Sequence, residues 1–489
     1  MLVILGFLMV ATFMALIMTK RLTPLLALII VPTAFGLFAG AGLGIGDMVM
    51  DAVKDMSSTA ALLMFAIIYF GLMIDVGLFD KLVTLIVRIS GHDPAKVVVG
   101  TMILTALISL DGDGSTTFIV VTAALLPVYQ RLGLSPVVLT CVAGLTNGTL
   151  NIVPWGGPTA RAAAALKVDA SDIFVPMLPS LGIGLLVVFA FAVLMGRSER
   201  RRLARIDPER WGRGTTGSAG TGKNRPTGGS ASPRTGGSPS TGGASPQNDG
   251  GKLALLERAE ATTSEATLAG GLSDTALDPN RPTLRPKLFW FNLTLTVAIM
   301  VLLVVDIVPL PYLFMVGGAI ALVVNFPRIS DQAKMVASHS SSVIAVVSMV
   351  LAAAVLTGVL SGTGMVDAMA AWLVDVIPTS MGPYMAIITG LISIPATFLM
   401  SNDAFYFGLL PVLTETGAHF GIPAVDMARA SITGQPVHMQ SPLVPAILLL
   451  VSLAGVDLGE HHKKVLWRAL VVALAMLAVG VVVGAIGIG

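Results

Sequence analysis

Residues 102–117, MILTALISLDGDGSTT, place two aspartates in the middle of an apolar stretch that runs from residue 97 to residue 130. The arms on either side of Asp111 and Asp113 contain about 15 residues each, which is marginal for crossing about 30 Å of hydrocarbon. An ionised carboxylate at that depth is costly unless it faces protein, water, a cation or a proton. The stretch therefore predicts a re-entrant hairpin with a functional tip; the alternative is a surface turn, for which Asp-Gly is a common pair.

The composition is that of an all-α polytopic membrane protein. Of the 489 residues, 54% are hydrophobic and 12% are charged, whereas soluble domains contain about 45–50% apolar and about 25% charged residues. The net charge of +2 is too small for a nucleic-acid-binding surface, so no nucleic acid partner is expected. The single cysteine, Cys141, excludes an internal disulfide and a thiolate metal site.

A polar linker divides the chain. The tract from Gly214 to Gly251 consists mostly of Gly, Ser, Thr and Pro, and such a segment cannot bury enough apolar surface to offset its ordering entropy. A short helix around 253–269 is compatible with the sequence. We therefore expect three parts: a first membrane repeat at 1–196, a cytoplasmic low-complexity linker at 197–285, and a second, inverted membrane repeat at 286–489.

Short motifs recur in the two flanks at a spacing of about 280 to 290 residues, which indicates a duplicated unit. Each match alone could be chance, but three matches occur in the same order at nearly one spacing. The pairs are LLPV at 125–128 and 409–412, GLFD at 77–80 and GMVD at 364–367, and DAVK at 51–54 and DQAK at 331–334.

The number of crossings predicts the relative orientation of the two copies. Five transmembrane helices and one re-entrant hairpin per repeat make an odd number of crossings, so the second copy should be inverted. With the linker in the cytoplasm, Lys and Arg collect in the inside loops and both termini lie outside. The first-repeat helices are predicted at 1–18, 23–43, 59–77, 136–166, which is broken, and 173–196.

A second polar constellation follows each hairpin. Asn147, Asn151 and the run from Pro154 to Arg161 interrupt one helix, and the run from Gly434 to Pro442 interrupts its counterpart. Unwound backbone at membrane depth is tolerated where it lines a cavity. A single proline kink without a ligand is common, but paired interruptions in two halves are typical of a transporter binding site.

These positions define the predicted site. Asp111, Asp113 and Asp403 are the candidates for metal or proton binding. The candidate substrate-binding residues are Ser115, Thr116, Asn147, Asn151, Gly156, Gly157, Thr159, Arg161, Ser401, Asn402, Gln435, His438 and Ser441.

Other polar residues give weaker signals. For Asp75 and Asp80, solvated positions at helix ends are favoured over a role in the site. His438 fits either a proton gate or an ordinary buried hydrogen bond. His461 and His462 are expected in a cytoplasmic loop, and the sequence assigns them no role.

The donor set indicates the class of ligand. Half-helix N-termini and the Arg161 guanidinium suit a carboxylate, yet aspartates in the same layer would repel an anion. The ligand is therefore expected to be an anion complexed with a hard divalent cation, or an anion that travels with protons. Carboxylate, hydroxyl and amide oxygens suit Mg²⁺ or Ca²⁺, whereas a soft metal would need Cys or paired His.

Five longer motifs occur in the two membrane halves: MILTALISLDGDGSTT at 102–117, NIVPWGGPTARAAAALKV at 151–168, RPKLFWFNLTLT at 285–296, SNDAFYFGLLPV at 401–412 and GQPVHMQSPLVP at 434–445. They resemble those of the CitMHS family of bacterial citrate–metal:proton symporters, within the ion transporter superfamily. The resemblance covers both membrane halves, although the Gly-rich linker is longer than expected.

The resemblance implies citrate uptake as a complex with a divalent metal, driven by proton symport across a bacterial plasma membrane, with no permanent cofactor. It further implies an elevator-type transport domain and a homodimer. Relatives in the superfamily carry Ser-Asn-Thr at each hairpin tip, whereas here the second tip is Ser401-Asn402-Asp403. The extra carboxylate fits a proton or a divalent metal, which puts sodium coupling in doubt. Asp113 and Asp403 are expected to share metal and proton binding, with Asp111 as the alternate.

Three alternatives remain at the level of sequence. One is a sodium- or proton-coupled carrier of another small anion or cation in the same superfamily. Another is a membrane aspartyl protease, but Asp-Gly-Asp-Gly lacks the Gly-x-Gly-Asp order that such enzymes need, so an enzyme is not expected. A passive channel would have no need of closed, duplicated hairpins.

Overall fold

The computed structural model describes residues 1–19, 21–91, 93–206, 281–305 and 307–489. Within these ranges the chain is helical and contains no β-strand. The short helix considered at 253–269, and most of the linker around it, lie outside the described residues.

The described residues of the first half contain ten α-helices. Proline at the first turn starts several of them, because its fixed φ suits that position and its missing N–H is not needed there. The helices are α1 (Leu2–Met18), α2 (Pro24–Phe38), α3 (Ile45–Asp75), α4 (Leu78–Ser90), α5 (Pro94–Ile108), α6 (Gly114–Leu132), α7 (Pro136–Leu150), α8 (Gly157–Leu166), α9 (Ala170–Phe174) and α10 (Leu178–Ile206).

The second half repeats this order. In chain order, each half has a set of opening helices, a short helix, two hairpin arms, a broken helix and a long final helix. The broken helix has two pieces in the first half and three in the second, and the first half has the short α9 before its final helix. The second set is α11 (Phe289–Val305), α12 (Leu310–Asn325), α13 (Ile329–Ser338), α14 (Ser340–Gly362), α15 (Met365–Val376), α16 (Met385–Leu399), α17 (Leu410–Ala418), α18 (Ala424–Ile432), α19 (Gln435–His438), α20 (Pro445–Ala454) and α21 (Leu458–Val482). In the α13–α14 pair, His339 separates two helices where α3 is continuous.

Two helices, α5 and α6, occupy the hairpin predicted at 97–130, and the broken helix at 136–166 is confirmed as α7 and α8. That the hairpin is re-entrant stays a prediction, because Pro94–Asp111 is itself long and apolar enough to cross a membrane. The prediction of 59–77 for the third helix is wrong at its start, because α3 begins at Ile45 with turns whose charged side chains are exposed. One of these, Asp51, accepts a hydrogen bond from Lys54 at 2.7 Å. The final helix of the first half also extends beyond the predicted 196, to Ile206.

The chain is a multi-pass membrane protein. Among the described residues, seven helices are long and apolar enough to cross a membrane, and further apolar helices of 10–17 residues include α1, α2 and α7. No membrane orientation follows from length and composition, so the inversion of the second copy stays a prediction.

Packing brings the two halves together at the broken helices. The second hairpin arm of the first half, α6, packs on α20 of the second broken helix, and α8 of the first broken helix packs on α18. The piece α19 lies against α7. Both interruptions therefore face each other and the hairpin tips.

Candidate functional site

The two helix breaks form the centre of the candidate site. In the first, α7 ends at Leu150 and α8 begins at Gly157, with Gly156 as its extended N-cap residue. Thr159 stabilises this break by donating its hydroxyl hydrogen to the Ile152 carbonyl at 2.7 Å. In the second, α19 ends at His438 and α20 begins at Pro445. Both predicted interruptions are confirmed as structure.

Gln435 connects both breaks to the second hairpin tip. Asn151 Nδ2 donates to Gln435 Oε1 at 3.1 Å, and Gln435 Nε2 donates to the Tyr406 hydroxyl at 3.0 Å and to Asn402 Oδ1 at 3.4 Å. Gly148 permits this approach, because a Cβ there would lie 3.1 Å from the Pro436 backbone. Three predicted residues, Asn151, Asn402 and Gln435, thus meet in one hydrogen-bonded group.

The first hairpin tip uses its aspartate as a helix cap. Asp113 accepts hydrogen bonds from the backbone N–H groups of Ser115 and Thr116, at 3.1 and 2.9 Å, and from the Thr116 hydroxyl. Asp111 Oδ1 accepts from the Asp113 N–H at 2.9 Å. Trp155 of the first break donates to the Leu110 carbonyl at 2.8 Å and so ties the tip to that break.

Two acceptor oxygens near this tip remain without a partner. Asn147 Nδ2 donates to Ser109 Oγ at 3.0 Å, which leaves Asn147 Oδ1 buried. Asn147 Oδ1 and Asp111 Oδ2 have no hydrogen-bond partner among the described residues. Buried acceptors are normally satisfied, so these oxygens are suited to a cation, a proton or a substrate hydroxyl.

The second tip is organised differently. Ser401 Oγ accepts from the Ala404 N–H at 3.2 Å and caps the second arm. Asp403 makes no such cap; its Oδ1 accepts from Arg161 Nε at 2.6 Å. The Arg161 and Asp403 side chains are 18% and 12% exposed, so the ion pair is largely shielded from solvent. Arg161 Nη1 lies against Gly157, where a Cβ would clash with it.

Two predicted residues, His438 and Ser441, contact the backbone of the second hairpin. His438 Nδ1 lies 2.5 Å from the Thr397 carbonyl oxygen, and Ser441 donates its hydroxyl hydrogen to the Phe398 carbonyl at 2.6 Å. Both carbonyls belong to α16, the first arm of the second hairpin. Of the two roles considered for His438, the structure shows the buried hydrogen bond.

The predicted carboxylates at the two tips have different partners. Within the described ranges, no group of three or more His, Cys, Asp or Glu side chains is placed to hold a metal ion. Asp113 is engaged by its own helix and Asp403 by Arg161. Asp113 and Asp403 therefore belong to separate hydrogen-bonded groups.

Residues that were not predicted to belong to the site complete its support. His461 is fully buried; its Nδ1 lies 3.1 Å from Thr140 Oγ1 and its Nε2 3.2 Å from Gln440 Oε1. Gln440 Nε2 donates to the Gly144 carbonyl at 3.0 Å. The prediction of a loop for His461 and His462 is wrong, because both lie in α21. The polar Gln440 within the motif 434–445 was the available signal for this network.

A second buried network joins the halves away from the site. Asp75, predicted to be solvated, is 6% exposed and lies 3.1 Å from His339 Nε2. Arg281 donates from Nε to the Asp75 carbonyl and from Nη2 to the Asp80 carboxylate, at 3.0 Å in both cases. The prediction for Asp75 is therefore wrong, whereas the half-exposed Asp80 retains its position at a helix start.

Comparisons with known proteins agree with this architecture. The sequence profile of CitMHS, described as citrate transporter, matches residues 2–434. A Bacillus subtilis (strain 168) protein named citrate transporter is 43% identical over 486 residues, which cover 99% of this chain and all of that protein. The Mg(2+)/citrate complex secondary transporter of the same organism is 42% identical over 489 residues, the whole of both chains.

A solved structure shares the fold. The YdaH transporter of Alcanivorax borkumensis superposes with a TM-score of 0.50 at 16% sequence identity, over 90% of this chain and 88% of that one. This likeness supports the all-helical membrane architecture.

Proposed function

We propose a substrate and a coupling ion for this chain, which belongs to the CitMHS citrate transporter family. The family consists of secondary carriers, so the chain is a transporter and no enzyme. Its cargo is citrate complexed with a divalent cation of the Mg²⁺ or Ca²⁺ type, and protons drive its uptake. The relative named as a Mg(2+)/citrate complex transporter supports this choice of cargo.

The Arg161–Asp403 ion pair carries the proposal of proton coupling. Arg161 is the cation that a citrate carboxylate needs, and Asp403 holds it at 2.6 Å. Protonation of Asp403 weakens this attraction, so the guanidinium can turn toward the substrate. Arg161 has a planar fork geometry that matches a carboxylate. Proton binding and anion binding thereby favour each other.

The opposite side of the site supplies oxygens for the metal. Asp111 Oδ2 and Asn147 Oδ1, both unpartnered within the described residues, are hard ligands at the first tip. In the proposed arrangement they face the divalent cation, while Arg161 faces the citrate carboxylates. In this arrangement Asn151, Asn402 and Gln435, which form one hydrogen-bonded group, hold the remaining oxygens of the substrate.

Charge requires at least one proton. Citrate with a divalent cation carries about one negative charge, and its inward movement against an inside-negative potential costs about 2.3 kcal/mol per 100 mV. One proton cancels this cost, and two make the potential drive uptake.

We place the protein in a bacterial plasma membrane with the linker in the cytoplasm, as a homodimer. Its second repeat is inverted, and alternating access is of the elevator type.

Citrate uptake into proteoliposomes tests this proposal. The wild type should require a divalent cation, lose uptake with a chelator, respond to an inward proton gradient and remain indifferent to a sodium gradient. Asp403→Asn should bind the complex but respond no longer to the proton gradient. Glu415→Gln provides a matched loss of one carboxylate in α17, outside the site, and should behave as wild type. Full citrate uptake in the presence of chelator would refute the metal–citrate cargo. Proton-driven uptake by Asp403→Asn would refute the role of Asp403 in proton coupling.

A further inference from the structure

We propose that a groove at the start of α21 binds the phosphate head group of an anionic lipid in the cytoplasmic leaflet. This basic groove is shallow and open to solvent, and it is lined by Ser135, Val137, Glu460, Lys463, Lys464 and Arg468. It lies between the N-terminal ends of α7 and α21, outside the substrate site.

The basic groove has an unbalanced positive charge. It contains three cationic side chains and one carboxylate, and within the described ranges none of the three forms an ion pair with a carboxylate within 4.0 Å. The nearby Glu199 accepts from the Ser135 N–H at 3.0 Å but is already paired with Arg202 at 2.7 Å. Arg468 Nε is buried without a hydrogen-bond partner among the described residues. Arg468 Nη1 donates to the Lys464 carbonyl, so the guanidinium is held on the groove side of α21 without a carboxylate partner among the described residues.

The groove is at the level expected of the lipid–water interface. The cations occupy the first three turns of α21, and the helix is apolar from Ala469 onward. Trp467, 51% exposed, lies on the same turns, and its ring packs edge-on against Phe191 with the centroids 5.3 Å apart. The Arg468 guanidinium carbon lies 4.2 Å from the centroid of the Trp467 ring. Tryptophan and basic residues together are typical of the head-group region on the cytoplasmic side.

Occupation of the basic groove would stabilise the support of the substrate site. Cys141 Sγ lies 3.8 Å from the Lys464 carbonyl, and the preceding turn carries His461, which contacts Gln440 of the second break. His462 Nε2 also lies 2.7 Å from the Gln440 carbonyl oxygen. A bound head group reduces the repulsion among the cations and fixes the start of α21 beneath the break.

Lipid binding to the purified full-length protein tests this proposal directly. The probes are fluorescent phosphatidylglycerol, phosphatidylcholine and inorganic phosphate, with retention in detergent and thermal unfolding as readouts. The test variant is Lys463→Gln/Lys464→Gln. The control is Arg328→Gln/Lys334→Gln, which removes two exposed cations from the same predicted side of the membrane. Each lysine near an anionic head group contributes to the affinity for the lipid. The double variant should therefore bind phosphatidylglycerol about ten- to thirtyfold more weakly than the wild type.

The control pair should bind phosphatidylglycerol as the wild type does, and phosphatidylcholine should bind to none of the proteins specifically. Equal binding by the test and control variants would overturn the proposal. Protection by inorganic phosphate or citrate to the same extent as by phosphatidylglycerol would also overturn it, because the ligand would then be a soluble anion. Since these readouts need no transport, they are independent of the proposed cargo and coupling ion.

Discussion

The two hairpin tips solve the same structural problem with different residues. Each tip starts a helix whose first N–H groups need an acceptor. In the first tip the acceptor is the carboxylate of Asp113, and in the second it is the hydroxyl of Ser401. The use of serine as the cap in the second tip leaves Asp403 available to pair with Arg161 of the other half. Carboxylates at similar places in a duplicated sequence can therefore have different roles.

The largest expected effect follows from removal of Arg161. In Arg161→Gln, Asp403 remains buried without its cation, and breaking a buried pair from one side costs about 3–5 kcal/mol. We expect a marked fall in thermal stability and loss of citrate uptake. The double variant Arg161→Gln/Asp403→Asn should regain most of the stability but no uptake, as measured by unfolding in detergent and transport in vesicles. If the double variant is as unstable as the single one, loss of the Arg161–Asp403 ion pair is not the cause of the instability.

The next effect distinguishes the two tips directly. Asp113→Ser replaces the carboxylate cap of the first tip by the kind of hydroxyl cap that the second tip uses. If capping is the role of Asp113, this variant should keep its fold and its proton response, whereas Asp113→Ala should lose about 1 kcal/mol of stability. Loss of the proton response in Asp113→Ser, with stability retained, would restore the sequence-based hypothesis that Asp113 carries a proton.

Much of the fold could be predicted because the membrane imposes simple rules. Hydrophobic length indicated the helices, and Asp111 and Asp113 within an apolar stretch indicated the break between α5 and α6. The broken helices could be recognised because Pro and Gly interrupt apolar sequence at matched places in both halves. The start of α3 was missed because its first turns are exposed and charged, so they lack the apolar pattern on which the prediction depended.

The partners of the site residues could not be predicted. Sequence indicated that Arg161 and Asp403 belong to the site, but their 242-residue separation hides the ion pair. The sequence predicted Arg161 as a ligand for citrate, but it did not indicate that Asp403 binds the same guanidinium. His461 was missed because its sequence neighbours Glu460, His462 and Lys463 are polar. Its own side chain is turned inward by the helix and fully buried.

A smaller effect is expected at the junction of the two breaks. The hydrogen bond between Asn151 and Gln435 joins the halves at 3.1 Å, and a neutral hydrogen bond contributes about 0.5–1.5 kcal/mol. Asn151→Ala and Gln435→Ala, singly and together, form a double-mutant cycle in thermal unfolding. The coupling between them should be of that size. A coupling of zero would indicate that the two breaks are held together by packing alone.

The smallest effect should come from Gly157→Ala. The added Cβ would meet Arg161 Nη1, whereas Asp403 binds Nε, so the far end of the guanidinium can tilt while the ion pair persists. Gly157 opens α8, and alanine suits a helix. Stability should therefore change by less than about 1 kcal/mol.

A shifted Arg161 changes the geometry offered to the substrate, so the KM for citrate should rise a few-fold while the response to the proton gradient persists. The asymmetry of the tips explains this outcome, because only the second tip depends on where Arg161 lies. An equal rise in KM for Gly114→Ala, where the added Cβ would lie 3.2 Å from Asn147 Oδ1, would show that both tips contact the cargo. An unchanged KM in Gly157→Ala would remove Arg161 from the substrate contacts.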